Sequence, residues 1–555
     1  MKIPSSGLAG VRGGRGPHVP RRALLLIVGG AVLAGAATGC GASSAMREGS
    51  GGAGVGGSQR GSGGSATSSG GSGGSSGTGG SDPGNATGGQ PGAGGAAGTV
   101  SASGGSLGSG GTGEGGVAGV GATGGRPGAG GAGAGGAGGA AGGTVVARPW
   151  DWSGVVGTGQ SLAVGQMGTP VATTTQPYHN LKLTTGNLPW PIDPSNAALA
   201  ISPLVEPIGR LSSAYPSSWP TNIAGETPHA SMANEITVLV RAADGGDYIG
   251  VHGEVGENGQ GIVFLRKNAT PVGVNGHAYQ ATLIETQAIT RLARAMGKTY
   301  GVAAITVTHG EADAGSASYE SDLYKLLSDY QTDLPAITGQ TQKLQMIVSQ
   351  QNSVNDRSPS TLAEWKIGVD HPTDVVCSGP KYQYPYYAGD HVHLVTEGYR
   401  QLGEKYGQIY FERVVLGHDW RPLAPTSIER GTRMVTVHFH VPVSPLAWNN
   451  TFQMPHQAIA EWKAGKGFEL RTATGRLAIA SVEIAGDAVQ IVTAADLPPT
   501  GVLVGYALTG DATAMTTPFV GTFRWGQLRD SDPFVGAATK TAQPNYAVAF
   551  ELPVP

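Results

Sequence analysis

The chain has 555 residues, 95 of them glycine, and a formal net charge of −3. A chain so close to neutral lacks the basic surface of a nucleic-acid-binding protein, so no nucleic-acid partner is expected. Its two cysteines provide neither a disulfide framework nor a zinc site built on thiolates.

The first 40 residues have the layout of a secretory signal peptide. Arginines precede the apolar run 23–37, and small residues follow it. The run is short for a transmembrane helix. The sequence Ala-Thr-Gly-Cys40 resembles a bacterial lipobox, which implies a lipid anchor on Cys40. The resemblance implies a secreted lipoprotein of the cell envelope, attached to the outer membrane or the cell surface.

Residues 41–145 are almost entirely Gly, Ser, Ala and Thr. They carry too little apolar surface to offset the entropy of ordering them, so a disordered linker is predicted. A Gly/Ser-rich chain of this length has an end-to-end distance of roughly 50–60 Å. The foldable part therefore begins near residue 146.

Residues 150–420 alternate short apolar runs with helical periods, as in a parallel sheet covered by helices on both faces. Strands are predicted at 153–157, 247–251, 301–308, 343–349 and 374–377. Apolar residues every fourth position from Ile284 to Met296 predict a helix ending at Gly297, and further helices are predicted at 319–327 and 397–414. The fold class is α/β, a three-layer flavodoxin-like sandwich, in a domain at 146–416.

Beyond residue 417 the pattern becomes alternating. Apolar residues recur at every second position over 435–441, and 482–491 reads as a hairpin around Gly486. We predict an all-β, sandwich-like accessory domain at 417–555.

Ser161 lies in Gly-Thr-Gly-Gln-Ser, directly after the first predicted strand. Ligands of open α/β sheets bind at the carboxyl ends of the strands. We expect Ser161 to start the first helix, where free backbone amides can stabilise an oxyanion. An ordinary N-cap serine is the alternative.

Asp390 and His393 are three residues apart, before the last predicted helix. At this spacing the carboxylate can bind the imidazole Nδ1, fix its tautomer and leave the other nitrogen as a general base for the serine. The alternative is a solvated aspartate beside a helix-capping histidine. His391 points elsewhere on the turn and is expected to tolerate replacement by alanine.

Taken together, Gly-Gln-Ser161 and Asp390-x-x-His393-Leu-x-x-x-Gly-Tyr resemble the first and last blocks of SGNH (GDSL-like) hydrolases. The glutamine is typical of the branch that includes sialate O-acetylesterases and carbohydrate esterase family 6. His309-Gly-Glu-Ala-Asp313 resembles that branch's third block, and Gly-Glu226-Thr-Pro a further stretch of some relatives. The resemblance spans 155–415 and implies an SGNH sandwich whose triad is Ser161, His393 and Asp390.

The resemblance also implies an oxyanion hole and a substrate site. The usual Gly-x-Asn-Asp is missing, so His309 is the candidate for the asparagine's donor role, with a structural histidine as the alternative. Among the glycines of the second block, Gly259 fits best when Ile262 and Leu265 are aligned with the family's apolar positions. The oxyanion donors are then Ser161, Gly259 and His309, and the substrate-binding candidates are Gln160, Glu226 and Glu311.

Other chemistry-bearing residues have plainer interpretations. Glu311 and Asp313 are disfavoured as a glycosidase pair, because side chains two apart near a strand end diverge. His438 and His440 share a strand face without a third ligand, so no metal is expected. Trp448, Trp462 and Trp525 either form a sugar-stacking surface or, as we favour, belong to the core. Cys377 is predicted to be a buried core residue.

The sequence thus predicts a serine esterase that removes short acyl groups, chiefly O-acetyl, from a carbohydrate without a cofactor. Two other functions stay open. One is a non-catalytic, glycan-binding surface lipoprotein, against which the complete triad argues. The other is a lipase or phospholipase using the same triad. A continuous apolar lid segment would favour that function, and the sequence lacks one.

Overall fold

A computed structural model describes residues 146–185, 188, 190–209, 224–273, 275–353, 357–510 and 521–555. The predicted signal peptide, the linker and Cys40 lie outside the described residues. No helix within these ranges is both long enough and apolar enough to cross a membrane.

One mixed sheet lies at the centre of the α/β part. Its strands are β1 Trp152–Gly159, β2 Leu181–Thr184, β3 Ala200–Pro203, β4 Gly250–Glu254, β5 Tyr300–Thr308, β6 Gln345–Gln350 and β7 Val375–Pro380. They lie in the order β3-β2-β4-β1-β5-β6-β7, and all neighbours are parallel except β2 and β3. The run β4-β1-β5-β6-β7 has the 2-1-3-4-5 order of flavodoxin-like sheets.

Helices cover both faces of this sheet. They are α1 His229–Asp244, α2 Ile262–Leu265, α3 Ala278–Ala295, α4 Tyr319–Thr338, α5 Pro359–Asp370 and α6 Thr396–Tyr410, which a π-helical turn Phe411–Val415 extends. Neighbouring residues of β1 face opposite ways: Val156 packs in a cluster with α3, α4 and α5, and Val155 packs in another with α1 and α6. The predicted α/β class is confirmed.

All five predicted strands are present, although β4 begins three residues later than predicted. The sequence pattern missed the strands β2 and β3 and the helices α1, α2 and α5. In α1 the buried residues include five polar ones, His229, Ser231, Asn234, Glu235 and Thr237. Polar residues on the buried face hide the apolar period by which a helix is recognised.

The remaining strands are short and antiparallel. They are β8 Ala424–Arg430, β9 Met434–His440, β10 Ala447–Trp448, β11 Phe468–Thr472, β12 Gly475–Arg476, β13 Ile479–Ala485, β14 Ala488–Thr493, β15 Leu503–Tyr506, β16 Leu528–Arg529 and β17 Phe550–Pro553. Two four-stranded sheets, β12-β11-β15-β17 and β13-β14-β9-β8, accompany the pair β10-β16. The predicted hairpin is β13–β14, with Gly486 in its turn at φ 68°.

The C-terminal strands pack directly on the α/β part. The side-chain amide of Gln350 makes two hydrogen bonds with the backbone of Ala549, at 2.8 and 2.9 Å. The rings of Trp365, in α5, and Phe550, in β17, lie 6.3 Å apart, and both parts contribute to one apolar cluster. The described residues belong to one compact unit, so the boundary predicted at residue 417 separates two parts of the sequence that share a core.

The plainer interpretations hold for two of the tryptophans and for Cys377. Trp462 and Trp525 are 2% exposed, and Cys377 is buried, so that burial raises the pKa of its thiol to about 12. His438 lies 3.2 Å from Glu429. The described residues contain no cluster of His, Cys, Asp and Glu suited to a metal ion.

Candidate active site

Ser161 lies in a tight loop at the carboxyl end of β1 and is 5% exposed. The prediction that it starts a helix is wrong, because residues 161–167 form turns. Gly165 and Met167 have φ values of 76° and 66°, a left-handed conformation that interrupts a helix. The backbone amide of Ser161 nevertheless donates no hydrogen bond to any residue that the structure describes.

The serine loop, which we define as residues 160–173, packs against the first turn of α6. The Tyr399 hydroxyl donates to the carbonyl of Gln166 at 2.6 Å, and the Thr396 hydroxyl donates to that of Pro170 at 2.8 Å. His393 precedes this helix by three residues. Two segments more than 220 residues apart in sequence are therefore held together at the carboxyl edge of the sheet.

Asp390 and His393 form a directed pair. Asp390 Oδ2 accepts a hydrogen bond from His393 Nδ1 at 2.7 Å, while Oδ1 accepts from the amides of Val392 and His393 at 2.9 and 3.0 Å. Burial would raise the pKa of Asp390, but these hydrogen bonds outweigh it and lower that pKa below its ordinary value. An ionised carboxylate fixes the proton on Nδ1 and leaves Nε2 as a base.

The Nε2 atom of His393 is buried and has no hydrogen-bond partner among the described residues, Ser161 included. In hydrolases without substrate the bond between nucleophile and base is often long and tightens in the complex. The ring thus presents an unused acceptor just before the helix that packs on the serine loop.

The second-block loop runs alongside the end of β1. The amides of Val255 and Glu257 donate to the carbonyls of Gly157 and Gly159, at 3.0 and 2.8 Å. Gly259 has φ 72°, and a Cβ there would meet nothing within 4 Å. Like the amide of Ser161, its amide donates no hydrogen bond within the described part of the chain. The two amides are available to an oxyanion.

The Glu257 carboxylate anchors this loop to the beginning of α3. It accepts three backbone amides, those of Gly276, His277 and Ala278, at 2.7, 2.8 and 2.9 Å. Three such bonds to one carboxylate hold the loop rigidly. This fixes the position of Gly259 beside the serine loop.

The structure gives His309 a different task from the predicted oxyanion donor. Its Nε2 bonds to the carbonyl of Gln260 at 2.9 Å, and its Nδ1 bonds to the Tyr319 hydroxyl at 2.7 Å. Burial lowers the pKa of the imidazole, so the ring is neutral with its single N–H directed at Gln260. Since no N–H remains for substrate, His309 supports the second-block loop instead.

Glu226 is not placed to touch substrate either. It is fully buried, and its Oε2 accepts the amides of Ala172 and Thr173 at 2.7 and 3.1 Å. Its Oε1 accepts the Thr173 hydroxyl. The carboxylate therefore ties down the loop that follows Ser161.

Gln160 and Glu311 lie where the first and third blocks meet. Gln160 Oε1 accepts the amide of Ala312 at 3.1 Å. Glu311 Oε1 lies 3.5 Å from Lys381 Nζ and accepts the Ser353 hydroxyl at 3.4 Å. Its buried Oε2 has no partner among the described residues, which leaves one carboxylate oxygen unused at the carboxyl edge of the sheet.

Sequence reasoning missed Lys381 and Ser353. Both follow strands of the sheet, β7 and β6, at their carboxyl ends. The rule that led to Ser161, that polar residues after parallel strands converge, applies to them as well. A lone lysine and a lone serine carry no motif by which to select them.

Three solved structures are similar to this chain over part of its length. No family model and no curated protein matches the chain. A carbohydrate acetylesterase from Xanthomonas citri is 12% identical, with a TM-score of 0.44, over 72% of this chain and 80% of that one. An Arabidopsis thaliana protein is 18% identical, with a TM-score of 0.35, over 48% and 100%. A carbohydrate acetylesterase from Sinorhizobium meliloti is 14% identical, with a TM-score of 0.26, over 46% and 97%.

Two of these three structures are named as carbohydrate acetylesterases, the class that the sequence blocks resemble. Their TM-scores lie below 0.5, so the proposals that follow rest on the geometry of the site.

Proposed function

We propose that the protein is a serine esterase of the SGNH type, with Ser161 as nucleophile, His393 as general base and Asp390 as its orienting acid. The observation that carries the proposal is the Asp390–His393 pair, joined at 2.7 Å, whose buried and unused Nε2 lies three residues before the helix that packs on the serine loop. A solvated aspartate would not be fixed by three hydrogen bonds. A capping histidine would use its ring on a helix end.

The proposed mechanism uses the groups that make no hydrogen bond among the described residues, namely His393 Nε2 and the backbone amides of Ser161 and Gly259. His393 Nε2 takes the proton of Ser161 as Oγ attacks the ester carbonyl. The amides of Ser161 and Gly259 donate to the oxygen that becomes negative. Asp390 stabilises the imidazolium, which then protonates the leaving alcohol. Water repeats the sequence on the acyl-enzyme, so no cofactor takes part.

The substrate class follows from the walls of the site. The loops 253–261 and 309–316 are rich in Gly, Glu, Asp, Asn and Ser, which suits hydroxyl-bearing molecules better than acyl chains. The unused oxygen of Glu311 can accept a bond from a sugar hydroxyl. A short acyl group, chiefly acetyl, on a carbohydrate fits these surroundings.

The remaining parts of the chain complete the proposal. Residues 1–40 direct secretion, and a lipid on Cys40 anchors the chain to the cell envelope through the Gly/Ser-rich spacer 41–145. The catalytic body is 146–416, and the β-rich part 417–555 accompanies it.

The test is release of acetate from a panel of acetylated polysaccharides by the wild type, with Ser161→Ala as the control. We expect release by the wild type alone. If both proteins bind a polysaccharide but release nothing, a glycan-binding protein without catalysis is indicated. Turnover of phospholipid or long-chain glycerides with no acetate release would indicate a lipase.

A further inference from the structure

The turn that carries Asp390 and His393 is held by a segment from the far end of the chain. We define the catalytic turn as residues 386–394 and the support segment as residues 521–524. The catalytic turn closes on itself, because Tyr386 and Leu394 form an isolated β-bridge and the amide of Tyr387 donates to the carbonyl of His393 at 2.7 Å. These two contacts join the ends of the turn to each other, so its orientation depends on α6, which follows it in the chain, and on contacts with other segments.

The first contact to the support segment is made by His391. Its Nδ1 donates to the carbonyl of Gly521 at 3.0 Å, and its ring lies edge-on to that of Phe523, with centroids 6.1 Å apart. His391 has φ 59°, a left-handed conformation that residues other than glycine adopt in only a few per cent of cases. A strained residue with its ring bonded to another segment is held there by that segment.

The second contact is a relay of side chains. The Tyr386 hydroxyl donates to Asn352 Oδ1 at 3.2 Å, and Asn352 Nδ2 donates to the Thr522 hydroxyl at 2.9 Å. Gly521 packs so closely on Tyr386 that an added Cβ would lie 2.8 Å from the Cβ of Tyr386. The support segment therefore fixes both ends of the catalytic turn, at Tyr386 and near His391.

The support segment is itself rigidly anchored. Arg524 is completely buried, and its guanidinium donates to the carbonyl and the side-chain oxygen of Gln351, both at 3.1 Å, and to the Thr361 hydroxyl at 2.9 Å. These partners follow β6 and begin α5. A planar, buried guanidinium that bonds to both the end of β6 and the start of α5 is a stiff connection.

We propose that His391 and Thr522 are positioning residues of the esterase, through which the C-terminal part holds Asp390 and His393 in register with Ser161. The inference rests on the proposed function of the triad. It makes the C-terminal part a component of the catalytic unit, and it revises the expectation that alanine replaces His391 without effect.

Paired variants test the positioning. Thr522→Val removes the hydroxyl at nearly constant volume, and Thr522→Ser keeps it. His391→Ala loses the bond to Gly521, whereas His391→Asn keeps an N–H near the position of Nδ1 and tolerates a positive φ. Each variant is assayed for kcat and KM on p-nitrophenyl acetate, for the rate at which a fluorophosphonate labels Ser161, and for the melting temperature.

A misplaced catalytic group costs up to about 100-fold in rate. We expect kcat and the labelling rate of Thr522→Val and His391→Ala to fall together by about 10- to 100-fold, with KM within about twofold of the wild type. Thr522→Ser and His391→Asn should recover most of the loss. All variants should remain folded at the assay temperature.

The proposal is overturned if Thr522→Val and His391→Ala keep the wild-type kcat and labelling rate, or if the loss appears only as a fraction of unfolded protein. Activity that persists in Ser161→Ala would instead refute the proposed function. The two failures are therefore distinguishable.

Discussion

Replacing Glu226 separates a structural carboxylate from a substrate ligand. In Glu226→Ala, two backbone amides and one hydroxyl of the serine loop lose their acceptor. Hydrogen bonds to a charged group contribute about 1.5–3 kcal/mol each. Since Ala172 is exposed, water can replace one of the three, so we expect a loss of about 3–5 kcal/mol in the free energy of unfolding.

Glu226→Gln should behave differently. The amide oxygen can still accept the two backbone amides, and the Thr173 hydroxyl can turn to accept from the new NH₂ group. Charge-assisted bonds become neutral ones, which costs about 1–2 kcal/mol. Chemical denaturation monitored by tryptophan fluorescence gives both values, and Glu483→Ala, at an exposed position of β13, is the control with no expected change.

The KM of Glu226→Gln distinguishes a structural role of Glu226 from a role in substrate binding. For a structural Glu226, Glu226→Gln keeps KM for an acetylated sugar within about twofold of the wild type, since all three bonds survive. A wild-type unfolding curve combined with a tenfold or greater rise in KM would show that the carboxylate binds substrate, as the sequence alone suggested. The structural role of Glu226 would then be wrong.

Four further predictions follow from the sequence and the structure. Asp390→Asn should lower kcat by about 10⁴, the cost of the same change in the serine-protease triad, where the wrong tautomer of the base results. On p-nitrophenyl esters, kcat/KM should be highest for acetate and fall beyond butyrate; an optimum at eight or more carbons would indicate a lipase pocket. A palmitate analogue should label the wild type and not Cys40→Ser in cells, and equal labelling would exclude the lipid anchor. Burial alone would raise the pKa of Glu469, but its bonds to His456 and Thr509 outweigh burial and lower that pKa to about 2, so this carboxylate stabilises the fold above its ordinary pKa of 4.5 and the contribution disappears as pH falls from there toward 2. Glu469→Gln should therefore show a flatter dependence of melting temperature on pH over that window, and an unchanged slope would contradict the assignment.

The α/β sheet was predictable because parallel strands buried on both faces are nearly uniform apolar runs. All nine residues of β5, Tyr300–Thr308, are buried, and the sequence predicted that strand to within one residue. The hairpin β13–β14 was equally clear, because strict alternation flanks a glycine in its turn. By contrast α1 buries a face rich in polar residues, so no apolar period marks it.

The site was predictable where a short-range rule connects the residues. The three-residue spacing of Asp390 and His393 is such a rule, and the structure joins the two side chains. The roles of His309 and Glu226 depend on partners distant in the chain, Gln260 with Tyr319 for the one and residues 172–173 for the other. No local pattern encodes those pairings, so motif resemblance assigned both residues to substrate.

The contacts of the C-terminal part were hidden for the same reason. Thr522 and Arg524 have no motif, and their partners in the α/β part lie more than 160 residues earlier. Alternating apolar residues correctly predicted strands in the C-terminal part. They carried no information on which surface those strands cover.

The most direct measurement is identification of the residue that a fluorophosphonate modifies. Mass spectrometry of the labelled and digested wild type should locate a single adduct on Ser161, because only a serine activated by a base reacts at an appreciable rate. His393→Ala should be labelled far more slowly, and Ser161→Ala should acquire no adduct. An adduct on another serine, or equally fast labelling of wild type and His393→Ala, would contradict the proposal that Ser161, His393 and Asp390 form a catalytic triad.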